Sequence, residues 1–454
     1  MAKSMRDAFH ARIPSFIPYD PSVVLYDAWG SYMGDMLPYE FTGWRDEQMA
    51  WKDTCYLGAN LTPTTTSRIY GPEALQFIKD NFTNSFEKFP VGKGKQGLMV
   101  DDDGYVAGCG VLIRTAEDEF YSYWLEPWLS YTFSRKPYDA AVENLTDQVF
   151  LFQLAGPKSL EIIEKASNED YHDLGYLMHK TGNVAGKDVR VIRIGMAGSL
   201  AYEVHGAMED AVDVYNALWE AGQEYGIKKL GRHAYFMNHT LGGYPQATLH
   251  FNLRGKANKE YVDWMLQNMG MPPFEAENVS GSMGDEKDKS FLYRTPVDLG
   301  WTKMVKFDHD FRGRAALEKI LAEPKTAMVT LEWNSEDIVD IYRSQFEDKV
   351  PYAPMDEPSD YMTGMTMRED RVFNKDGKQI GVSSGREFSV YYQKMLSLCT
   401  IDIEESAIGN EVVVLYGDPG TRQKEIRATV SRFPYYNEGR NQDVDVSTIP
   451  HGNK

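Results

Sequence analysis

Apolar positions along this chain switch between a strand-like and a helical period. The run VFLFQLAG (149–156) is apolar at nearly every position, then breaks at Gly156 and Pro157 into PKSLEIIEKA, where apolar residues return at helical spacing. This pattern predicts a buried strand feeding an amphipathic helix with proline in its first turn. A related order precedes it, where GPEALQFIKD (71–80) predicts a helix opened by Pro72. It also follows it, where DVRVIRIGM (188–196) predicts a strand and EDAVDVYNALWEAGQEYG (209–226) a helix with Val212, Tyr215, Leu218 and Trp219 on one face. Between these units, GKQGLMVDDDGYVAGCGVLI (94–113) reads as a hairpin with an acidic turn at Asp101, Asp102, Asp103 and Gly104.

Beyond residue 325 the helical period fades. TAMVTLEW (326–333), KMLSLCTIDI (394–403), EVVVLYG (411–417) and EIRATVSRF (425–433) are short strands separated by turn formers, the pattern of a small antiparallel barrel. The stretch 335–365 is acidic, rich in Pro and Tyr and weakly periodic, and reads as an insertion. The sequence thus predicts an α+β protein without strict βαβ alternation, with one region over 1–325 and a C-terminal β-barrel over 326–454. A chain of 454 residues is long enough for two or three cores.

Charge narrows the partners. With 48 Lys and Arg against 67 Asp and Glu, the formal charge is −19, which repels nucleic acid and anionic membranes. The opening MAKSMRDAFHARIPSF lacks the apolar run of a signal peptide and no segment is apolar enough to span a bilayer, so a cytoplasmic protein is expected. Cys55, Cys109 and Cys399 lie far apart with no CxxC, which argues against a disulfide framework or a structural zinc site.

Several stretches invite a chemical reading. Gly92, Gly94 and Gly97 spell GxGxxG but lead into a strand, whereas the dinucleotide loop follows a strand and opens a helix. Asp308, His309 and Asp310 have ligand chemistry but no companion cluster, so they read as a turn capping the helix RAALEKIL. No GxSxG elbow is present. His233, His239 and His250 lie in the aromatic stretch LGRHAYFMNHTLGGYPQATLHF, which suits either a core or a pocket for a flat ligand. The stretch GMAGSLAYEVHG (195–206) sets a carboxylate, Glu203, on a strand behind a run of small residues.

Taken in order, EFTGWRDEQMAWKDTCYLG (40–58), IYGPEALQFI, GMAGSLAYEVHG, TPVDLGWTKMVKFDHDFRGRAAL (295–317) and GVSSGREFSVYYQKMLSLCTID (381–402) resemble the glycine-cleavage T-protein (aminomethyltransferase) superfamily. Within it the chain is most similar to the tetrahydrofolate-dependent aryl O-demethylases of vanillate and syringate. The resemblance implies a three-domain ring with folate in a central funnel, closed on one side by the C-terminal barrel. It assigns the pterin-binding carboxylate to Glu203, whose two oxygens suit the adjacent N–H donors of an aminopyrimidine edge. Tyr202, Gly195, Ala197, Gly198, Gln153 and Tyr244 complete the implied cofactor side. Tyr235, in RHAYF, and Tyr32 match the tyrosines beside the transferred methyl.

Departures from the pattern shape the expected substrate. The aspartate that glycine-processing members carry in the hairpin is replaced by Ala107, Gly108 and Cys109, which argues against glycine. The demethylase histidines are replaced by Thr62 and Pro63, and the arginine that pairs a benzoate carboxylate is replaced by Leu125. A leucine cannot pair a buried anion. A substrate pocket with Leu125, Tyr123, Trp124, Thr62 and His250, extended by Tyr121, Trp128, Tyr235 and Tyr244, is aromatic and uncharged. The expected reaction moves a methyl group from a lignin-type methoxyaromatic lacking the carboxylate handle to N5 of tetrahydrofolate, with no metal. Two other readings stay open on the sequence alone: the fold redirected to an aromatic acyl or keto compound, with or without a CoA link, and a folate-binding protein without catalysis. Oligomeric state is not legible.

Overall fold

The computed structural model describes residues 25–27, 37–276, 278–355 and 366–452. Three larger sheets organise these residues. The first runs, edge to edge, through His179–Val184, Lys187–Ile192, Ala201–Ala207, Val149–Ala155, Tyr56–Gly58 and Lys228–Leu230. The second runs through Gly94–Val100, Val106–Ala116, Glu119–Tyr123, Thr66–Tyr70 and Ala141–Asn144, and is inserted in the chain between two neighbouring strands of the first. The third carries Thr366–Phe373, Gln379–Ser389, Lys394–Asp402, Thr326–Trp333, Lys424–Ser431 and Glu411–Tyr416, whose end strands pair to close a six-stranded barrel. The α+β architecture with a C-terminal barrel agrees with the sequence reading.

Alternation on the first sheet gives it two faces of different chemistry. Phe150, Phe152, Leu154, Tyr202 and Val204 point to one side, where helices Ser159–Ser167 and Ala211–Gly222 cover them. The predicted 209–226 helix forms over Ala211–Gly222, but it buries Ala211, Val214, Tyr215 and Leu218 and leaves Val212 exposed. The mixed spacing of Val212 and Trp219 hid this quarter-turn difference. The opposite face meets the helix Arg232–Gly242 and the barrel.

Helix Trp44–Asp53 joins these parts through two adjacent side chains. Buried Glu47 accepts hydrogen bonds from the N–H groups of Phe41 (2.6 Å), Thr42 (2.9 Å) and Gly231 (2.6 Å), which fixes the start of helix Arg232–Gly242. Its neighbour Gln48 accepts from Val390 N–H at 2.6 Å and donates to Phe388 O at 3.3 Å, holding the barrel. The WRDEQ stretch therefore works as a three-way joint.

The 325 boundary is crossed in both directions. Strand Asn278–Ser280 adds to the barrel sheet beside Thr366–Phe373, and the segment after Ser431 leaves the barrel for the first sheet. The acidic stretch from 335 contains a regular helix, Ser335–Ser344, whose N-cap Asn334 accepts from Glu336 and Asp337 N–H; residues 356–365 lie outside the described residues. The Asp308 turn differs from expectation as well. His309 bonds Asp308 and the Phe82 carbonyl, while Gly313 opens helix Arg314–Ala322 with no side-chain cap, because its backbone must pass close to Asp101.

The barrel meets helix Arg232–Gly242 most closely at Gly385, which has φ +58°, and a Cβ there would overlap the His250 ring. Gly377, at φ +77°, has open space around it. Gly385→Ala is expected to cost more than about 3 kcal/mol, against about 1 kcal/mol for Gly377→Ala, because only the first adds a core clash to backbone strain. Urea denaturation of both variants checks this, and equal costs would contradict the packing argument.

Candidate active site

The inner face of the first sheet is floored by small residues and carries a short row of polar ones. Gly58, Gln153 and Glu203 stand side by side in register on three neighbouring strands. Ala155 and Ala201 lie next to them with Tyr56. Two positions along the strand from Glu203, His205 faces the same side. Glu203 is 6% exposed, so its charge needs partners. Gln153 Nε2 donates to one carboxylate oxygen at 3.1 Å and His205 Nε2 to the other at 3.2 Å.

Each oxygen retains acceptor capacity beyond those two bonds. Around them, Gln153 Oε1, His205 Nδ1 and both polar atoms of the Asn60 side chain are buried without a hydrogen-bond partner. Asn60 stands beside Gly58, where a Cβ would lie 3.4 Å from its Oδ1. Native interiors leave few buried polar atoms unpaired, so such a set marks a place built for a polar ligand.

Tyr235 approaches from helix Arg232–Gly242, anchored by Glu47 as described. The ring is 7% exposed and packs edge-on to His239, with centroids 5.1 Å apart. Its hydroxyl makes no hydrogen bond among the described residues, and burial, reinforced by the charge of Glu203, holds its pKa above the usual tyrosine value. The phenol therefore keeps its proton and is free to donate. His239 Nδ1 donates to Tyr244 O at 2.9 Å, which leaves a buried Nε2 acceptor without a partner.

The second sheet supplies an aromatic wall. Tyr121, Tyr123 and Trp124 share an apolar cluster with Tyr235, and Tyr123 meets the His205 ring at 4.6 Å. Burial raises the Tyr123 hydroxyl as well. Tyr244 borders this group through His239 and stacks on Trp301 at 5.4 Å. Cys109 lies in that same neighbouring cluster, and burial pushes its thiol up to about 12, so it is neutral.

Other expected site residues are placed elsewhere. Tyr202 points away from Glu203 into the helix-covered core, as period-two alternation requires. Thr62 spends its hydroxyl on the backbone, donating to Leu151 O at 2.7 Å and accepting from Leu151 N–H at 2.9 Å. His250 uses both ring nitrogens, accepting from Gln246 N–H at 3.0 Å and donating at 3.1 Å to Thr240 Oγ1, which itself donates to Gly385 O of the barrel at 2.8 Å. Leu125 and Trp128 lie in a separate apolar cluster with Phe82, Met99 and Leu129. Small residues at 195–198 serve internal packing. A Cβ on Gly195 would overlap Ala201, Gly198 takes φ +89° against Tyr436 and Arg440, and Ala197 is buried near Gly242. Tyr32 lies outside the described residues.

Sequence reasoning missed His205, Asn60 and the chain end. Alternation from Glu203 was a usable signal for His205, whereas nothing local marks the returning tail. Its Asn441 accepts from Arg193 at 3.1 Å and donates its amide N–H to Gly198 O at 2.8 Å.

Comparison with known proteins adds a family context. The model of the GCVT N-terminal domain matches residues 26–245. The chain is 40% identical to a sesamin methylene transferase of a Sinomonas species, over 91% of this chain and 93% of that one. It is 32% identical to a syringate O-demethylase of a Sphingobium species, over 88% and 90%. Its fold superposes on the glycine cleavage system aminomethyltransferase T of Bartonella henselae with a TM-score of 0.66 at 15% identity, covering 92% of this chain and 96% of that one. Among the described residues no helix is long and apolar enough to cross a membrane.

His239 and His250 are both buried neutral, their pKa values lowered to about 3 by desolvation. The unfolded chain binds their protons near pH 6.5 and the folded one does not, so stability is complete above that value and falls as pH drops toward 3. Each is expected to remove about 1.4 kcal/mol between about pH 7.5 and about pH 5.5. His250→Asn lowers stability at pH 7.5 but should lose about 1.4 kcal/mol less than the parent over that interval. Urea denaturation at the two pH values decides, and identical losses would mean that His250 titrates normally.

Proposed function

The chain belongs to the GcvT aminomethyltransferase family and is an enzyme of the methyltransferase class, and from that premise we propose that it moves a one-carbon unit from an aromatic ether to N5 of tetrahydrofolate. The observation that carries this reading is the convergence of a buried carboxylate, Glu203, the unpaired polar atoms of Gln153, His205 and Asn60 around it, and a proton-bearing phenol, Tyr235, behind an aromatic wall.

The residues present fit a pterin. Glu203 offers acceptor capacity to adjacent N–H donors, with Gln153 Oε1 and the Asn60 amide as further unpaired groups beside it. When bound, tetrahydrofolate supplies the N5 amine that accepts the one-carbon unit. Gln153 and His205 orient the Glu203 carboxylate, with Gly58, Ala155 and Ala201 as its small neighbours on the sheet. Tyr235 has the chemical task. Cleaving an aryl ether leaves charge on the phenolic oxygen, and a proton-bearing hydroxyl in a water-poor site stabilises that charge as it develops.

Tyr121, Tyr123 and Trp124 favour a flat donor. Leu125, at the position where benzoate-binding members have arginine, packs in an apolar cluster apart from Tyr235, so what favours a neutral donor is the absence of an arginine there and not a contact from Leu125. The favoured donor is a neutral methoxylated aromatic of lignin type. A second reading, transfer of the methylene carbon of a methylenedioxyphenyl group, is favoured by the 40% identity to a sesamin methylene transferase. In either case the protein has the same work to do: hold the acceptor over Glu203 and protonate or hydrogen-bond the departing oxygen.

The test is turnover by purified protein with tetrahydrofolate and a panel of vanillate, syringate, guaiacol, acetovanillone and a methylenedioxyphenyl lignan. 5-Methyltetrahydrofolate with a catechol from the neutral methoxyarenes supports the first reading. A methylene-level folate product from the lignan supports the second, and silence across the panel contradicts both. Tyr235→Phe should lower kcat by about 100-fold with little change in KM, the usual effect of losing one transition-state donor. Glu203→Gln should instead weaken tetrahydrofolate binding by roughly 10- to 100-fold, as expected for a charge-assisted bond replaced by a neutral one. Equilibrium fluorescence titration reads that loss separately from turnover.

A further inference from the structure

Away from Glu203, the end of the chain meets helix Ser159–Ser167 in a cluster of two imidazoles and two carboxylates. Glu164, Asp170, His172 and His451 each bring one donor atom, and all four atoms lie within 4.8 Å of one another. Glu164 is fully buried, whereas the Asp170 and His451 side chains are 57% and 31% exposed and have room to adjust.

The histidine geometry is informative. His172 Nε2 donates to the Ile449 carbonyl at 3.0 Å, which turns Nδ1 toward Glu164 Oε1 at 2.7 Å and Asp170 Oδ1 at 3.4 Å. Glu164 Oε1 also accepts from Tyr171 N–H at 2.8 Å. From the other side, His451 Nδ1 stands 3.6 Å from Glu164 Oε2 and 3.7 Å from Asp170 Oδ2, buried and without a hydrogen-bond partner. Two carboxylates facing two imidazole nitrogens call for a cation among them, either a proton on an imidazole or a metal ion, and the unpaired His451 Nδ1 favours the metal ion. One ring nitrogen fixed on a backbone carbonyl with the other turned to a shared centre is the orientation metal-bound histidines adopt.

We infer that Glu164, Asp170, His172 and His451 together bind one zinc ion. Two imidazole nitrogens and two carboxylate oxygens suit a borderline divalent cation. The four donor atoms lie within 4.8 Å of one another, so a modest inward adjustment of the partly exposed Asp170 and His451 side chains reaches the spacing of roughly 3.4 Å between ligands of tetrahedral zinc bound at about 2.0–2.1 Å. Four protein ligands leave no open position, so the role is structural. The ion ties the last turn of the chain, where Gly452 N–H already donates to Glu164 Oε2 at 3.0 Å, to the helix whose Ser159 hydroxyl donates to Leu200 O at 3.3 Å. It thereby holds the tail that packs on the 195–200 loop through Asn441 N–H, which donates to Gly198 O at 2.8 Å.

The experiment uses the full chain, dialysed against a chelator and then titrated with zinc sulfate by calorimetry. One equivalent of zinc is expected, with a melting temperature raised by about 2–5 °C at saturation. His451→Gln, which alters the tail and not the helix, should weaken zinc binding on the order of 100-fold while leaving the chain folded by circular dichroism. His172→Gln should do the same. No stoichiometric uptake, or uptake unchanged in both variants, overturns the site; in the first case the cation between the groups is a proton on His172.

Discussion

A charged carboxylate kept under the surface is the constraint around which the first sheet is arranged. Removing Glu203 from water carries a cost that two long hydrogen bonds, from Gln153 and His205, offset only in part. Everything near it limits that cost. Gln153 is held in register on the adjacent strand, His205 on the same strand, and the neighbouring positions are the small residues Gly58, Ala155 and Ala201. A strand surface serving stability alone gains more from an apolar residue at 203, because a buried polar group left partly unpaired costs more than it returns. The residual acceptor capacity is what the proposed pterin would use.

Holding such a site open requires stiffness from outside the sheet, and three connections supply it. Glu47 and Gln48, successive residues of one helix, tie the Tyr235 helix and the barrel to the same short segment. Thr240 donates to Gly385 O at 2.8 Å and accepts from His250, so the far end of that helix is fixed to the barrel as well. The tail then crosses back, with Tyr436 N–H donating to Leu241 O at 3.0 Å and Asn441 N–H to Gly198 O at 2.8 Å. Tyr235 is thus positioned by groups on both sides of the 325 boundary. Barrel and tail belong to the site's support even though neither supplies its central carboxylate.

Legibility in the sequence followed the range of the interactions involved. Strands and helices with a clean period, such as Val149–Ala155, Ser159–Ser167 and the four late strands, were readable because burial on one face imposes the period directly. The motif singles out Glu203, and alternation gives the face it takes. For Thr62, His250 and Leu125 the motif fixes a backbone location and not the side chain's surroundings. Thr62 and His250 are consumed by hydrogen bonds to residues 89 and 10 positions away. The zinc ligands span residues 164 to 451, a separation no spacing rule detects.

Cys109 bears on the chemistry the pocket suits. An amine substrate carries or develops positive charge during aminomethyl transfer, and an aspartate nearby stabilises it. An aryl ether develops negative charge on the departing oxygen instead, and a carboxylate at the same place would oppose that. Here the hairpin presents Ala107, Gly108 and a thiol whose pKa is pushed up to about 12 by burial, so it adds no charge of either sign. What the oxygen needs is a donor, and Tyr235 and Tyr123 both have pKa values raised by burial, which keeps their protons in place. Neutral thiol and protonated phenols follow from one property, a dry aromatic pocket beside a single buried anion. On the proposed reading, that property separates cleavage of an ether from cleavage of an amine on the same scaffold.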